Sequence, residues 1–208
     1  MAGEALSPVL AALGLGVALA SAPGPVQAVL LSEAVRGGIR RGLRALAGVS
    51  LTFGSLLVAL ALGLSLTTPS GAVLRVLEVA GGILLVWLAV EGVRSGHRID
   101  PGSVARRSMP PAARGVLAIL LNPGAWLFLG AVASPLFGTA NEVGGRWTAL
   151  LAALALLAGA GLGDVGVIVL GGVGLRRSGE RAVLWVHRAL AVLLAGLGVW
   201  LIIRSLMP

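Results

Sequence analysis

The sequence predicts an all-α integral membrane protein of six transmembrane helices, and three observations predict it. Of 208 residues, 57% are hydrophobic and only 12% charged, with a mean hydropathy of +1.00. A soluble domain needs about 45–50% apolar and about 25% charged residues to coat its surface. Six apolar runs, 5–32, 45–66, 72–93, 115–137, 147–175 and 183–204, are each long enough to cross about 30 Å of hydrocarbon, which takes roughly 17–25 helical residues. These runs are too long for buried strands and lack the dyad alternation of membrane β-strands. One domain therefore spans 1–208, with halves of about 1–93 and 115–208 joined by a loop over 94–114.

The same composition removes classes of chemistry. There is no cysteine, so disulfide scaffolds, thiolate metal sites and cysteine nucleophiles are excluded. All sixteen basic residues are arginine, which excludes lysine Schiff-base chemistry and the lysine of a Walker phosphate loop. No nucleophile and base, metal set or carboxylate pair falls at one depth, so neither an enzyme nor a bound cofactor or metal is expected. The formal charge of +8 belongs to a guanidinium rim on a body dissolved in the lipid bilayer. Nucleic acid is not an expected partner, because the basic loops lack aromatic interleaving and no soluble module accompanies them.

Taken in order, span one starts with Glu4 and no arginine among its first seven residues. A secretory signal needs a positive n-region, so the small residues around Ala18 and Ala20 are read as part of one membrane helix. Ser21, Ala22, Pro23, Gly24 and Pro25 interrupt that helix, and it resumes to Leu31. Span two carries Gly48, Ser50 and Thr52; with Gln27 of span one the two hydroxyls can line a path, or Ser50 and Thr52 instead bond back to their own helix. Span three holds Arg75 and Glu78, three apart and expected to pair on one face. The loop 94–114, with His97, Asp100, Pro101, Gly102 and the pair Pro110 and Pro111, reads as solvated and flexible. Span four is interrupted by Asn122, Pro123 and Gly124. Span five has Gly159, Gly161, Gly163 and Gly166 for close helix packing, a pattern that also suits a homodimer, and it contains Asp164. Span six contains Arg188, whose long side chain can reach toward Asp164. Glu33, Glu91, His97 and His187 fall at the membrane boundary and are expected to be solvated there.

Orientation follows from the arginines. The loops after spans one, three and five hold twelve of them, whereas the opposite side holds Arg146, with Arg75 and Arg204 at nearby helix ends. The positive-inside rule places that richer side in the cytoplasm and both termini outside a cytoplasmic (plasma) membrane. Two halves of three spans each then have opposite orientations, as in a 3+3 inverted repeat with broken helices 1 and 4. No residue-level match between the halves is evident.

The two interruptions are where function is expected. Proline removes a donor and clashes with the preceding turn, so each cluster leaves backbone groups without helical partners. At membrane depth such breaks persist where protein surrounds them or where they line a wet cavity, and their half-helix ends then bind ions or substrate groups. Counting inward at 1.5 Å per residue puts Pro23 at roughly 14 Å, Pro123 at roughly 12 Å and Asp164 at roughly 18 Å, all near the midplane. An intramembrane aspartate costs about 2.5–3.5 kcal/mol on insertion scales, so it faces a cavity or a partner. For Asp164 two readings stay open, a functional group and a structural ion pair with Arg188.

The run PGPVQAVLLSEAVRGGIRRGLRALAGVSLTFGSLLVALALGLS, from Pro23 to Ser65, resembles the N-terminal signature of the lysine exporter (LysE/RhtB-type) amino-acid translocators. LNPGAWLFLGAV, from Leu121 to Val132, is similar to the Asn-Pro motif of the same family. The resemblance implies a secondary transporter that exports amino acids or related small metabolites from the cytoplasm. It implies a substrate-binding site at the Pro23, Gly24 and Pro25 break, at the Asn122 and Pro123 break, and at Asp164; the carbonyl of Ala22 and the side chain of Gln27 join the expected substrate-binding residues by their position at the first break. Two positions depart from the family pattern: Gly124 stands where members often carry a basic residue, and Val26 where a small polar residue often follows PGP.

A mechanism follows as an expectation. The amide end of the helix beginning at Gly24 and Pro25 favours a carboxylate. Carbonyls freed at Ala22 or near Asn122, together with Asp164, favour an ammonium, so an amino-acid zwitterion fits between them. Proton uptake by Asp164 outside and release inside would couple proton influx to export. The alternatives are a divalent-metal-ion exporter, which would want several His, Asp or Glu side chains at depth, and a helical membrane scaffold without transport.

Overall fold

Proline is tolerated in the first turn of a helix, where its missing N–H has no partner to lose. In the computed structural model α2 begins at Pro25, α5 at Pro111 and α6 at Pro123. The structure describes residues 2–21, 24–63, 71–95, 109–174 and 180–206, and every element among them is helical. In order these are α1 (Ala2–Ser21), α2 (Pro25–Gly37), α3 (Ile39–Ala61), α4 (Gly71–Ser95), α5 (Pro111–Leu120), α6 (Pro123–Phe128), α7 (Ser134–Val169) and α8 (Glu180–Leu206). Single π-helical turns at Leu129–Ala133 and Leu170–Gly174 precede and follow α7.

The expected break in span one is a bend of 65° between Leu6–Ser21 and Pro25–Gly37. The expected break in span four separates α5 from α6. The helix there starts at Pro111 rather than 115, which draws Arg114 out of the expected loop and into α5. Residues 96–108 of that loop, with His97 and Asp100, lie outside the described residues. Two described stretches are long and apolar enough to cross a membrane, Ile39–Ala61 and Pro123–Val173, and the bent pair makes a third if it is one span. At 1.5 Å per residue the second stretch would be roughly 76 Å long, and it is in fact divided. Gly144 (φ −145°, ψ 20°) and Gly145 (φ 71°, ψ −174°) leave helical geometry inside α7. Among the described residues, length and composition alone thus give two or three candidate spans, with the longest of them interrupted at Gly144 and Gly145.

Glycines set how closely the helices approach. A Cβ on Gly16 of α1 would lie 2.1 Å from the Leu156 carbonyl oxygen of α7, and one on Gly159 would lie 2.2 Å from that of Leu13. The α3/α5 crossing is reciprocal in the same way: Gly48 faces the Ala112 oxygen at 2.0 Å and Gly115 the Ala45 oxygen at 2.1 Å. Gly82 and Gly198 do this for α4 and α8, each 2.6 Å from the other's carbonyl oxygen. At the α1/α7 and α3/α5 crossings only backbone is in the way, so a methyl group forces those helices apart; at Gly82 and Gly198 the side chains of Ile202 and Val86 crowd the site as well. Of the four glycines expected to pack in span five, Gly159 and Gly163 do so, whereas Gly161 and Gly166 meet open space. Gly48→Ala is therefore expected to destabilise the fold by about 1–3 kcal/mol, and Gly161→Ala to leave it unchanged. Thermal melting of the two variants in detergent, followed by the loss of monodisperse protein, checks the contrast.

Candidate functional site

The two helix breaks come together. A cavity of about 250 Å³ is lined by Gly24, Pro25 and Gln27 at the start of α2, by Asn122 and Gly124 at the start of α6, and by Asp164 of α7. The end of α1, at Leu19 and Ala20, also reaches it. Asp164 is 4% exposed. Its Oδ1 accepts a hydrogen bond from Gln27 Nε2 at 3.4 Å, longer than the usual 2.7–3.2 Å, so the carboxylate is touched without being tightly held. Arg188, the alternative partner, lies exposed on α8. Ala22 and Pro23 lie outside the described residues, and Pro123 is buried at the first turn of α6.

The break at Asn122 is capped from within. The Asn122 side chain accepts from the Gly124 amide at 3.0 Å, and its carbonyl accepts from the Ala125 amide at 3.0 Å. The Leu120 carbonyl, which the break would strand, accepts from the Trp126 indole at 2.9 Å. The expectation of free carbonyls near Asn122 is corrected to this extent, because an aromatic one turn past the proline reaches back over the break. Across the cavity, the Ala28 amide donates to the Gly24 carbonyl at 3.0 Å, and Gly24 offers no side-chain cap to the first turn of α2. The first amides of a helix have no partner inside it, which leaves that turn electropositive toward the cavity.

Apolar groups make up the rest of the lining. Val49 and Phe53 of α3, Ile119 of α5 and Phe128 of α6 contribute to it, with Phe53 and Phe128 in ring contact at 6.1 Å between centroids. Thr52 instead bonds back to the Gly48 carbonyl of its own helix at 2.9 Å. The face of α3 toward the cavity therefore runs through 49 and 53 rather than 50 and 52. The sequence signal available for these positions was their spacing of four, which is shared by every other apolar pair on the helix.

A second polar centre lies at the far end of α2. Glu33 was expected to be solvated; it is buried, its side chain 1% exposed, with Arg41 Nε at 2.6 Å and Arg114 Nη1 at 2.7 Å. Arg36, one turn on, approaches to 3.7 Å. The chain reverses between α2 and α3 at Gly38 (φ 76°), which brings Arg41 back over Gly37, where a Cβ would lie 2.3 Å from Arg41 Cδ. Arg114 also donates from Nε to the Met109 carbonyl at 3.1 Å, and its guanidinium lies 5.7 Å from the Trp87 ring centroid. One carboxylate thus ties α2, α3 and α5 together, with α4 alongside. The sequence signal was the isolation of Glu33, the single acidic residue between Glu4 and Glu78, among Arg36, Arg40, Arg41 and Arg44. Glu78 in turn faces Arg204 of α8 at 3.6 Å, in place of the expected pair with Arg75.

Among the described residues, no three His, Asp or Glu side chains converge as a metal site would require. A family model for the LysE type translocator matches residues 17–205. No curated protein and no solved structure gives a match to the chain.

Proposed function

Because the chain belongs to the LysE type translocator family, matched over residues 17–205, and is thus a multi-pass membrane transporter, we propose that it exports amino acids or related small metabolites, coupled to protons through Asp164. One observation carries this reading: two interrupted helices and a buried carboxylate from a third element share one cavity. The electropositive first turn of α2 suits a substrate carboxylate and Asp164 suits an ammonium. Asp164 is also the titratable group among the described lining residues, which is why it is assigned the coupling proton.

The proposed layout is six spans in a 3+3 inverted repeat, with both termini outside the plasma membrane. It is supported by a backbone feature that the two halves share. Gly38, at the end of the first broken helix, has φ 76° and ψ −176°; Gly145, at the end of the second, has φ 71° and ψ −174°. Each is the second glycine of a pair. Phe53 follows Gly38 by fifteen residues, Ala160 follows Gly145 by fifteen, and both line the cavity. The α1/α7 and α3/α5 crossings with their reciprocal glycines are the pairings such a symmetry exchanges.

Purified protein in liposomes loaded with labelled amino acids is expected to release them faster when the exterior is made acidic. Release of a divalent metal ion, with amino acids retained, would favour the metal-export alternative. Release of neither would favour a scaffold.

A further inference from the structure

Resting on the reading of this cavity as an amino-acid site, we infer that it selects amino acids with uncharged, apolar side chains, and that Phe53 and Phe128, with Val49 one turn before Phe53, form the wall that makes the selection. Among the described lining residues Asp164 is the one ionisable group. An amino acid brings an ammonium and a carboxylate, and Asp164 answers the ammonium. A second ammonium or a guanidinium on the side chain would have to rest among Val49, Phe53, Ile119 and Phe128, where a charge taken out of water is not repaid. An acidic side chain would meet the same wall and the like charge of Asp164.

Gln27 and Asn122 each spend one side-chain atom at the helix break from which they come: Gln27 Nε2 lies 3.4 Å from Asp164 Oδ1, and Asn122 Oδ1 accepts the Gly124 amide. Most of what faces the remaining volume is apolar and aromatic. Phe53 comes from α3 and Phe128 from α6, and their tilted contact, 42° between ring planes, closes one side of the cavity with carbon. At about 250 Å³ the space is smaller than the roughly 300–1,000 Å³ of sites for drug-sized ligands. An aliphatic side chain of four or fewer carbons suits it better than an indole.

Counterflow in proteoliposomes with labelled leucine, valine, threonine and lysine tests the inference. Leucine and valine are expected to exchange and lysine to stay at background. Threonine should fall below valine by up to about a hundredfold, the limit at which an apolar pocket rejects an added hydroxyl. Phe128→Ser, at a half-buried position, is expected to shift the ratio of leucine to threonine exchange by at least about tenfold toward threonine, whereas Phe53→Leu should keep the wild-type preference. Should Phe128→Ser fail to yield monodisperse protein, the isosteric Val49→Thr reports the same ratio. Lysine or threonine exchange equal to that of leucine overturns the inference and leaves amino-acid export standing. An unchanged ratio in folded Phe128→Ser or Val49→Thr overturns the assignment of the wall. If folded wild-type protein exchanges none of the four amino acids, both the inference and the reading beneath it fall.

Discussion

Asp164→Asn is expected to uncouple export from the proton gradient and to weaken substrate binding by roughly tenfold to a hundredfold. The substitution keeps the shape of the side chain and an oxygen able to accept from Gln27 Nε2, which now approaches at 3.4 Å. What it removes is the charge and the titratable proton. A hydrogen bond to a charged group is worth about 1.5–3 kcal/mol, and each 1.4 kcal/mol is tenfold in affinity, which gives the stated range. Asp164 is 4% exposed at the cavity wall, so little water is present to screen the loss. Efflux from proteoliposomes with neutral and acidic exteriors separates the two consequences: KM rises in both, and the acceleration by external acid disappears. If Asp164→Asn is still accelerated by acid as the wild type is, Asp164 is not the coupling group, whatever happens to KM.

Glu33→Gln is expected to be the most destabilising single change outside the helix crossings. It removes the carboxylate that Arg114 meets at 2.7 Å and Arg41 at 2.6 Å, with Glu33 and Arg114 each only 1% exposed at the side chain. Breaking a buried ion pair from one side costs about 3–5 kcal/mol, a large part of the roughly 5–15 kcal/mol that holds a typical domain folded. The double variant Glu33→Gln with Arg114→Met should recover part of this loss, because a guanidinium no longer sits buried beside a neutral amide. Melting of the single and double variants in detergent measures the coupling. A Glu33→Gln protein that melts with the wild type would show that Glu33 is not a structural centre. Since Glu33 joins α2 to α5, the two half-helices whose starts or ends form the cavity, its loss should also reduce transport in whatever protein remains folded.

The polar centre at Glu33 shows where reading along the chain falls short. Its neighbours Arg36 and Arg41 are close in sequence, and a solvated cluster was the natural expectation. Arg114 is far away along the chain, and nothing local marks it as the arginine that leaves the rim for the interior. The fate of that side chain depends on α5 starting at Pro111 and on Gly48 and Gly115 letting α5 lie against α3 backbone to backbone. The cavity repeats the lesson on a smaller scale. Gln27, Asn122 and Asp164 could be singled out because polar groups are scarce in an apolar chain, whereas Val49, Phe53, Ile119 and Phe128 could not, being four apolar residues among many.

Composition and local stereochemistry suffice for a helical membrane protein, for the places where prolines and glycines interrupt it, and for the family to which its motifs point. Those features follow from transfer of side chains to hydrocarbon and from the backbone limits of proline and glycine, which act over a few residues. Tertiary structure alone decided the rotation of each helix about its axis. That rotation chose 49 and 53 over 50 and 52 for the cavity, Gln27 over Arg188 for Asp164, and Arg114 for Glu33. In a chain apolar on nearly every face, hydrophobicity cannot fix that angle. It is set by where glycines let backbones touch and by the few polar side chains that must find one another.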